Sequence, residues 1–267
     1  TTGSENTAVG YQALQSNTTA SNNTAVGYQA MYANTTGDSN NAFGHQSMYL
    51  NTTGTNNQAF GNFALYDNTT GLYNVAIGQS ALESSAAADG NTAVGFQAGY
   101  SNTTGTRLLA LGYHSALSHT TGNYNTAVGY QSQRNNQTGE SNTSLGENTL
   151  YYNTGSYNTA IGRHALLSNT TASENTAVGY QALYFNTTGT PNNALGRQAL
   201  YFNTTGNANS AFGEQTLVNN TTGSYNSAFG NLALASNTTA NNNTAVGYQA
   251  GYNVTTGTAN VAVGKQA

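Results

Sequence analysis

The chain has 267 residues, only 5% of them charged, and its nine acidic and five basic side chains leave a formal net charge of −4. Without a basic stripe to follow a phosphate backbone, nucleic acid is not an expected partner. With no cysteine, disulfides and thiolate metal sites are excluded, and apolar runs of only a few residues fall far short of the roughly 20 that a membrane-spanning helix needs.

The elements recur from the start. "NTAVGYQALQSNTTASN" fills residues 6–22, and "NTAVGYQAMYANTTGDS" follows at 23–39. Aligned on "AVG", glycine stands at 10, 27, 44, 61, 78, 95, 112, 129 and 146, then at 162, 179, 196, 213, 230, 247 and 264. Fourteen of the 15 spacings are 17 residues and one is 16, where "NTTG" shortens to "NTG" at Asn153–Gly155. So strict a period, with fixed chemistry in fixed columns, means one structural rung per repeat. Residues 1–267 are read as a single array of 16 rungs. Because the array starts and stops in mid-phrase, it is expected to be a piece of a longer protein.

Columns are numbered from the Asn of "NTAVG". Column three is Ala except at Ser144, and column five is always Gly. Column four is always large and apolar: Val9, Val26, Phe43, Phe60, Ile77, Val94, Leu111, Val128, Leu145, Ile161, Val178, Leu195, Phe212, Phe229, Val246 and Val263. Column eight is always small and column nine mostly Leu or Met. Gly, Asn and Thr at several fixed places make a poor helix. "TAVG" alternates as a strand does, and Gly and Asn of "NTTG" mark a turn because they tolerate positive φ. The expected fold is all-β: a parallel β-solenoid with two short strands and two turns per rung. At about 4.8 Å per rung it would be roughly 75 Å long. The short rung should keep its strands in register and lose residues only from one turn.

The small columns three, five and eight suit a narrow lumen, with column-nine Leu filling the remainder. Column four then points outward. Sixteen such side chains facing water would form a large sticky patch. Either they line the lumen, with Ala and Gly outside, or they are buried against other copies. Burial between chains is the reading adopted, with column four as the interface of a homotrimer.

"NTAVGYQA", "NTAIGRHA" and "NVAVGKQA" resemble the rungs of YadA-type trimeric autotransporter adhesin heads, and "NTAVGYQALYxNTTGxx" resembles arrays in bacteriophage tail-fibre proteins and tail-fibre-like bacterial surface proteins. The resemblance covers the whole chain. It implies a left-handed parallel β-roll that trimerises about a hydrophobic axis, in an extracellular fibre on a virion tail or a bacterial surface. Such a fibre mediates or supports attachment to a host. The 17-residue rung departs from the family's, which is about 14 residues long.

No catalytic motif is present, and no enzyme activity or cofactor is expected. His45, His114, His119 and His164 fall in three columns, and the carboxylates are scattered, with Glu147 and Glu214 four rungs apart in column six. Metal and acid–base sites are therefore not expected. All 19 Tyr fall in four columns, eight of them in column ten. Tyr32, Tyr49 and Tyr66, and likewise Tyr184 and Tyr201, should stack rung upon rung. Such ladders stabilise a sheet and are also candidates for surface binding of a glycan. Thr fills column fourteen of the complete rungs except at Ala87, which raises an alternative function, an ice-binding β-solenoid. Against it, adjacent Thr residues in a strand point to opposite faces. The N-x-T triplets at Asn17, Asn34 and Asn51 are read as a turn-forming Asn ladder in preference to glycosylation sites. Asn, Thr and Gln are expected to keep the exterior wet.

Overall fold

The structure, a computed structural model, describes residues 2–267. It comprises two compact units, Thr1–Thr138 and Gly139–Ala267. Each is an all-β parallel solenoid with a 17-residue period, and no helix occurs among the described residues.

In the first unit the strands are β1 (Thr7–Val9), β2 (Thr24–Val26), β3 (Asn41–Phe43), β4 (Gln58–Phe60), β5 (Val75–Ile77), β6 (Thr92–Val94), β7 (Leu109–Leu111) and β8 (Thr126–Val128). Each pairs in parallel with the next, column on column, as in Thr24↔Asn41, Ala25↔Ala42 and Val26↔Phe43. The second unit repeats this with β9 (Thr143–Leu145), β10 (Thr159–Ile161), β11 (Thr176–Val178), β12 (Asn193–Leu195), β13 (Ser210–Phe212), β14 (Ser227–Phe229), β15 (Thr244–Val246) and β16 (Val261–Val263). The shortened rung changes nothing in this register: Thr159, Ala160 and Ile161 sit on Thr143, Ser144 and Leu145. Thr154 takes the column-thirteen place, its hydroxyl donating to the Thr170 carbonyl at 3.0 Å. The missing residue is thus the column-fourteen one.

Two strands per rung were expected, and there is one. Opposite the strand, the backbone alternates through the left-handed region. In the first rung Gln12 has φ 54 and Leu14 φ 52, and the pattern repeats at Gln29 and Met31. Rungs still bond there, Leu14 N–H to the Ala30 carbonyl at 3.1 Å and Ser16 N–H to the Tyr32 carbonyl at 3.1 Å. The ladder therefore survives without extended backbone. A second correction concerns the glycine of "NTTG", which does not sit at positive φ; the column-five glycines do, Gly196 at φ 140. There the rungs touch backbone to backbone, and a Cβ on Gly196 would lie 2.4 Å from the Gly213 carbonyl oxygen.

The interior is built from the columns expected and from two that were not. Column-three Ala25, Ala42 and Ala160, and column-nine Met31, Leu65 and Leu200, are fully buried. So are most Asn residues of columns one and twelve, among them Asn23, Asn34, Asn40 and Asn51. They do not wet the exterior. Buried amides must be hydrogen-bonded, and these bond both along the stack and across the coil. Asn51 Nδ2 donates to Asn34 Oδ1 at 2.8 Å, and Asn40 N–H to Asn23 Oδ1 at 2.9 Å. Asn40 and Asn51 also both donate to the one carbonyl of Gly54, at 2.7 and 3.1 Å. Two amides converging on one backbone carbonyl explain why Asn recurs in both columns, and where column fifteen holds Ala172 its carbonyl receives the same pair, at 3.0 and 2.8 Å.

Where column nine loses its side chain, an Asn position turns apolar. A Cβ on Gly99 would meet Leu82 Cδ2 at 2.9 Å and Leu108 Cδ2 at 3.3 Å. Leu108, in column one, is buried in the first unit's core. In the second unit Gly251 is crowded by Leu234 Cδ2 at 2.8 Å, and Val254, in column twelve, packs against that core. Both replacements fill volume that would otherwise be a void.

Candidate functional site

Outward-facing chemistry is arranged in ranks because each rung presents the same columns. The column-four side chains project from the strands away from the interior. Ile77 is 42% exposed, Leu145 49% and Phe229 42%, while the neighbouring Ala76 and Ala228 are wholly buried. The alternative in which column four lines the lumen is thereby removed. Along this ridge Phe43 stacks on Phe60 and Phe212 on Phe229, with ring centroids 4.9 Å apart in both pairs.

The tyrosine ladders form as expected. Tyr32, Tyr49 and Tyr66 stack at successive 5.2 Å separations, and Tyr184 stacks on Tyr201 at 5.2 Å. All five are half-buried. Burial, then the neighbouring tyrosine in the stack, raises the hydroxyl pKa of Tyr66 and of Tyr201 above the ordinary value. These rings present their edges along the surface and support one another.

A feature the column pattern hides lies beside the second ladder. Phe185 and Phe202, both in column eleven, stack at 5.6 Å with planes 5° apart. Tyr184 and Tyr201 brace them edge-on at 4.7 and 4.6 Å. They wall an open groove of about 690 Å³ that runs past Thr187, Thr204 and Thr221. Column eleven is otherwise mostly Ser, Ala and Asn, so a column consensus gives no sign of it. The only available signal was the adjacent repetition of "YFNTTG".

The Thr ranks are not equivalent. Column-thirteen hydroxyls are committed to the next rung: Thr187, Thr204 and Thr221 donate to the carbonyls of Thr204, Thr221 and Thr238, each at 3.0 Å. Column-fourteen Thr188, Thr205 and Thr222 are exposed, and their hydroxyls make no protein hydrogen bond among the described residues. One rank of uncommitted hydroxyls remains, where paired ranks would make a two-dimensional lattice. The triplet asparagines Asn34 and Asn51 are buried with their amide nitrogens in the ladder, out of reach of glycan attachment in the folded chain.

Two of the scattered carboxylates pair with arginines. Glu147 lies 3.1 Å from Arg163, and Glu214 pairs with Arg197, whose Nε lies 2.9 Å from Oε1. All four are well exposed, so these pairs add little stability. No group of three or more metal-ligating side chains occurs among the described residues.

His119 is different. It replaces the column-twelve Asn and is fully buried. Its Nδ1 lies 3.1 Å from Asn102 Oδ1 and its Nε2 3.1 Å from Asn125 Nδ2. That geometry suits one neutral tautomer, with Nδ1–H donating and Nε2 accepting. A second proton would set N–H against N–H. Burial lowers its pKa to about 4. In the unfolded chain the ordinary value is about 6.5, so the stability His119 contributes is complete above pH 6.5 and is lost as pH falls toward 4. The shift corresponds to about 3 kcal/mol. Thermal melts should show Tm falling through this window, already between pH 6.5 and 5 where carboxylates remain ionised, and His119→Asn should flatten that fall. A Tm independent of pH in that range would contradict the assignment.

No protein-family model, curated protein or solved structure matches this chain.

Proposed function

We propose that this chain is the shaft of an extracellular attachment fibre, a non-enzymatic structural element in which three copies associate about column four. The observation that carries this reading is the ridge: sixteen rungs place a large apolar residue on the outward side of the strand and never a polar one. Fully burying such side chains is worth roughly 1.5–3 kcal/mol each, so partial burial along the ridge exceeds the cost of bringing chains together. Three copies around one axis close the ridge completely. The likeness of the "NTAVGYQA" rungs to YadA-type heads and tail-fibre arrays favours a left-handed roll and a location on a virion tail or a bacterial surface. Its mechanism is mechanical and multivalent, holding three copies of a binding surface away from the particle or cell.

Static light scattering tests it. The expected mass is three times the chain's 27.6 kDa. A stable particle of one chain mass would overturn the trimer, and with it the fibre.

A further inference from the structure

We propose that the groove walled by Phe185 and Phe202 is a binding site for a neutral oligosaccharide or polysaccharide chain. It does not rest on the trimer, since none of its lining residues belongs to a strand or to column four.

The argument starts from the two phenyl rings. The rings stack with their planes 5° apart, and their column-eleven neighbours in the rungs on either side, Ser168 and Asn219, are short and also line the groove. The rings are 37% and 43% exposed, yet the edge-on tyrosines hold them in place. Such a platform loses little freedom on binding. A phenyl face carries negative charge density, which suits the weakly positive C–H face of a pyranose ring.

The second half of the match is polar and lies on one side only. The column-thirteen threonines direct their hydroxyls into backbone carbonyls of the next rung, so the floor they form is apolar. Beside it runs the rank of exposed column-fourteen threonines, Thr188, Thr205 and Thr222, whose hydroxyls have no protein partner among the described residues. A sugar chain has the same two-sided character, with apolar ring faces and hydroxyls along its edges, and it repeats along its length as the rungs do. An aliphatic peptide segment would cover the phenyl rings but leave the hydroxyl rank unmatched. No charged side chain lines the groove, which selects neutral over anionic glycans.

Saturation-transfer NMR on the intact chain tests the assignment, with cellohexaose, maltohexaose and N-acetylchitohexaose as probes. The expected result is transfer from protein aromatic protons to the ring C–H protons of at least one probe. The Phe185→Ala, Phe202→Ala double variant should weaken binding about tenfold or more. Phe202→Tyr, which keeps the ring, should bind within about threefold of wild type. Absence of transfer for all three probes overturns the site, as does a double variant that binds unchanged. Displacement of the sugar by an apolar hexapeptide at equal concentration would show a hydrophobic docking groove and overturns it too. The result separates cleanly from the fibre reading. Single chains that bind sugar refute the trimer and the fibre but leave this site standing, and trimers that bind none refute only this site.

Discussion

Replacing both Val128 and Val178 by Asp is expected to convert the proposed trimer into single chains, with light-scattering mass falling to one third. Both side chains lie in column four, at the ends of β8 and β11, and in the proposed assembly each would meet its two symmetry mates on the axis. Three carboxylates would then share a dry level. An unpaired buried charge costs roughly 3–5 kcal/mol, so two substitutions per chain remove most of what the ridge contributes. The far-UV circular dichroism should change little. Column four lies outside the interior of its own chain, where Ala127 and Ala177 are fully buried. Loss of mass with retention of β-structure is the signature. An unchanged mass would take column four off the axis, and loss of both together would mean that the single chain cannot stand alone.

The second large effect is within the chain. Gly196→Ala should lower stability by about 4 kcal/mol or more, while Gly206→Ala should cost no more than about 1 kcal/mol. Contact distance alone does not separate them. An added Cβ would lie 2.4 Å from the next rung's carbonyl oxygen at Gly196 and 2.3 Å at Gly206. What differs is the backbone. Gly196 holds φ at +140, a conformation that essentially only glycine adopts. Gly206 has no such φ, and other rungs carry Ala20, Ala88, Ala172 and Ala240 in the same column, all buried. The coil there evidently adjusts to a methyl group. Thermal melts of the two variants side by side decide it, with a Tm drop of roughly 10 °C or more expected for Gly196→Ala. Equal Tm values would mean that φ is not what reserves column five for glycine.

The two functional features differ in how far they could be read beforehand. The tyrosine ladder of Tyr32, Tyr49 and Tyr66 was legible, because equal spacing in a solenoid places like rings one above another. The groove at Phe185 and Phe202 was not. It depends on two large residues in a column of small ones, and on Thr187 and Thr204 turning their hydroxyls inward to carbonyls. Side-chain rotation leaves no trace in composition. The buried imidazole of His119 was hidden in the same way. It lies inside because column twelve itself lies inside.

By itself, the sequence determined the period and the parallel in-register pairing. These follow from repetition, since a one-residue slip would turn every Ala25-type side chain outward and every Val26-type side chain inward. Its one deletion was also confined by the sequence, because Ala160 and Gly162 keep their columns. Only the tertiary structure decided that each rung has a single strand, because the opposite wall runs through left-handed backbone at Gln12 and Leu14, residues whose local preferences give no warning of it. The stacked rungs hold that conformation with bonds between neighbours, which no isolated rung possesses. Likewise, only the stack places Asn40 and Asn51 in the interior: an amide is expensive to bury alone and stable once the rungs on either side complete its hydrogen bonds.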